Sequence, residues 1–402
     1  MAGISLTTTI RRRLYSFARS IARAFSDSRR QRFVSEMVAG LTVAGHVHLT
    51  AVARANSGGA GNIHAAEKRL SRHLASEHWD ASPLADDLLR RSAAMVGDNT
   101  LIVADTTDLA KYYAKHLEGL GRVHDGSDPD KRTAPGYCVF ETYARVGRWQ
   151  LFPLLVEPLK VYAGAPTGEN AEILGHVLRV HEATGGKGTW VMDRGFDRRE
   201  LFGPLVRNGV AFVVRQRGDR MVRTADGRQL TVDALAAEQV CPRPRRWPKG
   251  GVAVTVEVWL PEVAEAPFLL VVGWRYPHSE RPLLLLVSPA ARRPRRTGRW
   301  FVKAYLRRWG VEDATRGIKQ HFTLEQFLVR SWMSIRRLLW LVAWAFWWLN
   351  LWGEDEFESL RAALLRHPWR LPKQVTYLFD WIARMIHALL HPQPRLSAED
   401  TG

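Results

Sequence analysis

The chain has 402 residues, 46% of them hydrophobic, with 58 Lys+Arg against 40 Asp+Glu and a formal net charge of +18. That length predicts two or three domains with a sizeable core, and the cationic excess points to a polyanionic partner, nucleic acid foremost. Only two cysteines occur, Cys138 and Cys241, which excludes a disulfide framework and a cysteine-based zinc site.

The N-terminal "MAGISLTTTIRRRLYSFARSIARAF" has arginine clusters but no continuous apolar run, so no signal peptide is expected and the protein is expected in the cytoplasm. Residues 1–98 read as helical. "RRQRFVSEMVAGLTVAG" and "NIHAAEKRLSRHL" have amphipathic spacing, separated by the turn "NSGGAGN". At Leu101 the pattern changes. "LIVADTT" reads as a short buried strand closing at Asp105, and "GYCVFETYARV" and "WQLFPLLVEPLKVY" as neighbouring strands with the loop "DGSDPD" before them. "NAEILGHVLRVHEATGG" predicts a helix ending at glycines, "GTWVMDRGF" a strand closing at Asp193, "DRRELFGPLVRNG" a helix and "AFVVRQRG" a strand. The middle is therefore mixed α/β. From 217 to 300 the chain reads as β-rich, through "MVRTADGRQLTV", "GVAVTVEVWLP", "APFLLVVGWRY" and "RPLLLLVSPA".

Two helices follow. The first is "YLRRWGVEDATRGIKQHF". At roughly 100° per residue, Tyr305, Arg308, Glu312 and Lys319 fall within a sector about 60° wide, flanked by Trp309 and Arg316. The second holds "LLWLVAWAFWWL", Leu338–Leu349, preceded by Arg336 and Arg337. That run is short of the roughly 18 residues needed to cross a bilayer, so a buried core helix is expected and no membrane association. The tail reads as two short helices broken by "HPWRLPK".

Three carboxylates have no evident structural duty. Asp108 and Asp197 are placed to cap helices, which leaves Asp105 and Asp193 at strand ends, where α/β sheets gather ligands, and Glu312 on the charged helix face. A bare acidic cluster would repel a phosphodiester. With two Mg²⁺ ions bound between the acids it would clamp one instead.

Tyr305-x2-Arg308-x3-Glu312-x6-Lys319 resembles the YREK signature of bacterial insertion-sequence transposases of the DDE class. "ADTTDL" and "VMDRGF" are similar to the strands that carry that family's first and second aspartates, and the resemblance covers roughly residues 30 to 350. It implies an α/β, ribonuclease-H-like mixed sheet with flanking helices. The core would be split into residues 99–216 and 301–352 by a β-rich insertion at 217–300, with a helical DNA-binding region at 1–98 and a helical tail at 353–402. It implies Asp105, Asp193 and Glu312 as catalytic ligands of two Mg²⁺ ions, with Mn²⁺ able to substitute, and Tyr305, Arg308, Trp309, Arg316 and Lys319 as DNA-binding residues. It further implies cut-and-paste transposition on terminal inverted repeats and target DNA by a synaptic homodimer associated with the bacterial nucleoid, commonly through a hairpin. A catalytically inactive, transposase-derived DNA-binding protein is the alternative.

Overall fold

The computed structural model describes residues 6–57, 61–124, 132–147, 150–164, 168–276, 281–352 and 378–390. "DGSDPD" and "HPWRLPK" lie outside them. Five helices open the chain: α1 (Leu6–Ala22), α2 (Ser28–Ala44), α3 (Leu49–Ser57), α4 (Ile63–Ala75) and α5 (Ser82–Ala93). In α1, Ile10, Leu14, Ala18 and Ile21 recur every three or four residues, and all are buried. Asp27 caps α2 by accepting from the Arg29 N–H at 3.0 Å, and Gly45 ends it at φ 58°, a left-handed conformation that glycine adopts without steric cost.

Strands β1 (Leu101–Ala110), β2 (Gly121–His124), β3 (Thr133–Val146) and β4 (Gln150–Pro158) follow, then α6 (Glu169–Ala183), β5 (Thr189–Met192), α7 (Arg199–Arg207) and β6 (Phe212–Arg215). β3 pairs antiparallel with β1, β2 and β4, while β1, β5 and β6 run parallel. The β-rich section supplies β7 (Met221–Thr224), β8 (Gln229–Thr231), short α8 (Val232–Ala237), β9 (Val252–Leu260), β10 (Val263–Trp274) and β11 (Leu283–Val287). These strands do not form a separate layer. β11 pairs with β6, and the order β2-β3-β1-β5-β6-β11-β10-β9-β7-β8 continues as one 11-stranded sheet, with β4 on β3.

Helices α9 (Gly298–Arg307), α10 (Trp309–His321), α11 (Trp332–Asn350) and α12 (Leu378–Leu390) complete the described chain. Alternation along β1 sorts the layers. Ile102 and Ala104 share a core with α6 and α7; Val103 faces the other side with α11, and Leu101 packs with α9.

The Trp-rich run is core as expected. Nearly every residue of α11 is buried, between β4 on one side and α2, α4 and α5 on the other. No described helix is long and apolar enough to cross a membrane. The N-terminal helices pack into the same core as α11, so removal of residues 1–98 would strip the apolar face from α11.

Two aspartates have duties other than those expected. Asp108 caps no helix, because β1 runs on to Ala110 and Asp108 pairs with Cys138 in the ladder to β3. Nor does Asp197 cap α7, whose N-cap is Arg198. Asp197 instead accepts from the Arg217 N–H at 3.0 Å and from Arg220 Nε at 2.7 Å.

Candidate functional site

Asp105 does not close its strand; the antiparallel ladder to β3 carries on for five more residues. Asp105 does follow the end of the parallel ladder, which runs from Leu101↔Thr189 to Ala104↔Met192. One residue beyond that register stand Asp105 and Asp193, side by side. Period-two alternation puts Asp105 on the face of Val103, and Asp193 on the face of Val191. Val191 packs against α9, so both acids point to the side that carries α9 and α10.

The local hydrogen bonds hold each acid in place. Asp193 accepts from the Gly195 N–H at 2.7 Å as the chain turns into a short 3-10 segment. Asp105 accepts from the Thr106 N–H at 3.0 Å. Burial pushes the Asp105 carboxyl up to about 7; Arg308 opposes that shift, and the charges of Asp193 and Glu141 add to it.

The segment Tyr305–Phe322 is two helices, not one. The Arg308 N–H reaches back three residues to the Tyr305 carbonyl, a tighter turn that separates α9 from α10. Tyr305, expected on the open face, is buried at 2% exposure among β-sheet and α9 side chains. The Arg308 guanidinium carbon lies 5.6 Å from its ring centre.

Arg308 is the hinge of the cluster. It is buried, its Nη1 is 3.7 Å from Asp105 Oδ2, and its Nη2 donates to Glu312 Oε1. Burial works against its charge, but Tyr305, Asp105, Glu312 and Asp193 together raise its pKa above the ordinary arginine value. Glu312 is 40% exposed. Trp309 is 53% exposed and Arg316 is exposed. Lys319 is half-buried, donates from Nζ to the Asp108 carbonyl and lies 3.7 Å from Glu325.

Sequence reasoning missed Glu141. It sits on β3 directly opposite Asp105 in register and is 3% exposed. The Tyr143 hydroxyl donates to it at 2.8 Å, and the Thr315 hydroxyl, from α10, at 3.1 Å. Burial raises its pKa, against those two bonds and the charge of Lys319. The available signal was one acid inside the otherwise apolar "CVFETYARV".

The acids are oxygen donors of the kind hard divalent cations take. Asp105 and Asp193 fit such an ion: they are neighbours, and their mutual repulsion is one a cation would relieve. Glu312 is instead drawn to Arg308. Among the described residues, no three His, Cys, Asp or Glu side chains gather closely enough to hold a metal. Two of the three expected ligands are thus adjacent, and Arg308 links the third to them. His46 and His48 form no metal site either; their rings lie in contact, tilted, with centres 4.2 Å apart, and His48 Nε2 bonds the Gln326 carbonyl.

Residues 170–348 match the family model described as "Transposase DDE domain". The match supports a transposase of the DDE family. The matched stretch contains Asp193 and Glu312 and begins after Asp105. Among solved structures, a cryo-EM structure of the piggyBac transposase synaptic complex with hairpin DNA is similar over 72% of this chain and 52% of that one, at 14% identity and a TM-score of 0.39. The chain therefore spans about half the length of that protein. Comparison with curated proteins returned no match.

Proposed function

We propose that this protein is a cut-and-paste DNA transposase that cleaves at transposon ends and joins the freed 3′-OH to target DNA. The reading rests chiefly on one observation: Asp105 and Asp193 stand together beyond the parallel ladder, with Arg308 tying Asp105 to Glu312. The strand arrangement, antiparallel β4-β3-β1 joined to parallel β1-β5-β6, supports a ribonuclease-H-like core. Bound divalent cations, two Mg²⁺ or Mn²⁺ in their place, would activate the attacking water or 3′-OH and offset charge at the scissile phosphate.

The chain's own residues do the rest. Asp105 and Asp193 hold the site from adjacent backbone that the sheet keeps rigid. Glu312 joins them on release from Arg308, and Arg308, freed of one carboxylate, keeps a positive charge beside the phosphodiester. Glu141 fixes α10 on the sheet through Thr315. Trp309 and Arg316, both exposed, face the DNA. Two copies of the chain, one for each transposon end, form the synaptic complex.

The direct test incubates the protein with its own element's terminal repeats and Mg²⁺ and resolves the products on native and denaturing gels. Double-strand breaks at the repeat ends followed by joined products are expected. Binding without any cleavage would favour the alternative of a non-catalytic, transposase-derived DNA-binding protein, a reading that the Arg308–Glu312 pair also suits.

A further inference from the structure

Away from the carboxylates, a cavity of about 960 Å³ opens between the β-rich section and α9. Its cations come from three separate parts of the chain. Arg246 and Lys249 lie in the loop before β9, Arg275 directly follows β10, and Lys303 and Arg307 are one turn apart on α9. No Asp or Glu among the described residues lines it. Among the described residues, none of these five cations forms an ion pair with a carboxylate. Five like charges around one concavity repel one another, and an anion with several charges relieves that repulsion.

The walls are built rather than accidental. Trp247 Nε1 donates to the Arg275 carbonyl at 2.9 Å, which pins the loop to the end of β10. Gly251, at φ 83°, passes so close that an added Cβ would lie 2.1 Å from the Trp274 carbonyl oxygen. Gly250, at φ 89°, also passes Lys303 closely, though less tightly, with 2.9 Å from such a Cβ to Lys303 Cε. The loop therefore holds Arg246 and Lys249 at a fixed place beside α9. That helix ends at Arg307, one residue before Arg308 enters the carboxylate cluster.

We infer that this cavity is a phosphate-binding subsite that takes the sugar–phosphate backbone of duplex DNA flanking the cleavage point. The inference rests on the transposase reading and deepens it. A backbone leaving the carboxylate cluster along α9 arrives at Arg307 and Lys303, and the loop and Arg275 close on it from the other side. Contacts of this kind position DNA and do not read its sequence.

The test measures binding of a short labelled duplex to the full chain by fluorescence anisotropy across a salt series. It compares the wild type with a Lys249→Gln, Arg275→Gln, Lys303→Gln triple variant. All three side chains are exposed, so the fold should survive, and a thermal melt checks it. Each lost phosphate contact lowers the slope of log K against log salt by about 0.9, so the variant should lose roughly 2–3 from the slope and bind at least about tenfold more weakly. The loss should be the same for transposon-end and random duplexes. An unchanged slope in a variant whose wild-type parent binds DNA would overturn the subsite alone. A wild type that binds no duplex would overturn the transposase reading and the subsite with it. A second arm titrates ATP: tight binding lost in the variant, with duplex binding unaltered, would make this a nucleotide site and overturn the inference.

Discussion

Two buried arginines, Arg337 in α11 and Arg308 between α9 and α10, have opposite surroundings. Arg337, at the start of α11, is 1% exposed, and its acceptors are uncharged. Nη1 donates to the Leu74 and Ser76 carbonyls at 2.7 and 2.6 Å, and Nη2 to the Trp79 carbonyl at 2.9 Å, with its guanidinium over the Trp79 ring. Burial lowers its pKa. Arg308 is nearly as buried, but its partners are the carboxylates of Asp105 and Glu312, and its pKa rises. One cation closes the joint between α11 and the end of α4. The other bridges acids that would otherwise repel. The difference is one of purpose: neutral acceptors around a buried charge mark a structural joint, whereas crowded carboxylates around one mark a site arranged for something other than stability.

If α11 and its joint are structural, damage there should be the most severe. Trp344, fully buried with its Nε1 donating to the Leu84 carbonyl at 3.0 Å, should not accept a charge. Trp344→Asp should accumulate as insoluble or unfolded protein, since an unpaired buried charge costs several kcal/mol. A soluble, active variant would place α11 at the periphery.

Arg337→Ala should come next, with a loss of about 3 kcal/mol or more, because two buried carbonyls and one partly buried one lose a charged donor. Urea denaturation of the folded variant measures this directly. A loss below about 1 kcal/mol would erase the contrast between the two arginines.

The carboxylate side should show itself in pH dependence. In metal-free protein the folded Asp105 keeps its proton up to about 7, whereas the unfolded chain releases it near the ordinary value of 3.8. The folded state therefore binds the extra proton, and this group's contribution to stability is full below about pH 4 and is lost as pH rises to about 7. Denaturation midpoints should fall across that window, and Asp105→Asn should flatten the fall. Glu141, raised in the same direction, keeps a residual slope. A midpoint that rises with pH and ignores Asp105→Asn would contradict the crowding of the acids.

The smallest effect on the fold is expected at Trp309, 53% exposed at the start of α10. Trp309→Ala should melt close to the wild type. If the ring supports an unstacked base during a hairpin step, worth roughly 1–3 kcal/mol, nicked ends should accumulate while nicking itself stays normal. All steps slowing together with a lower melting temperature would make Trp309 a packing residue.

Much of this was legible in the chain. The α/β alternation, the β-rich run after 217 and the core role of "LLWLVAWAFWWL" follow from period and composition, and Asp193 stands at the strand end expected of it, whereas Asp105, read as closing a strand, lies in the middle of β1. Pairing partners were not legible. Nothing local in "RPLLLLVSPA" says that β11 pairs with β6 and carries the β-rich strands into the core sheet. Register hid Glu141 for the same reason, since its position opposite Asp105 depends on how β3 aligns with β1. Helical spacing placed Tyr305 with Glu312 on one face, but the tight turn at Arg308 and packing against the sheet buried the ring. Arg337 read as a flank of the apolar run, because its three acceptors come from residues more than 250 positions away in sequence.

The central claim is that Asp105, Asp193 and Glu312 act together on DNA. It is tested most directly by Mg²⁺-dependent cleavage of terminal-repeat duplex by Asp105→Ala, Asp193→Ala and Glu312→Ala proteins, with duplex binding measured in parallel. Each variant should bind as the wild type does, because affinity comes mainly from Lys and Arg contacts to phosphate, and none should cut or join strands. Cleavage at the wild-type rate by any one of the three would contradict the account.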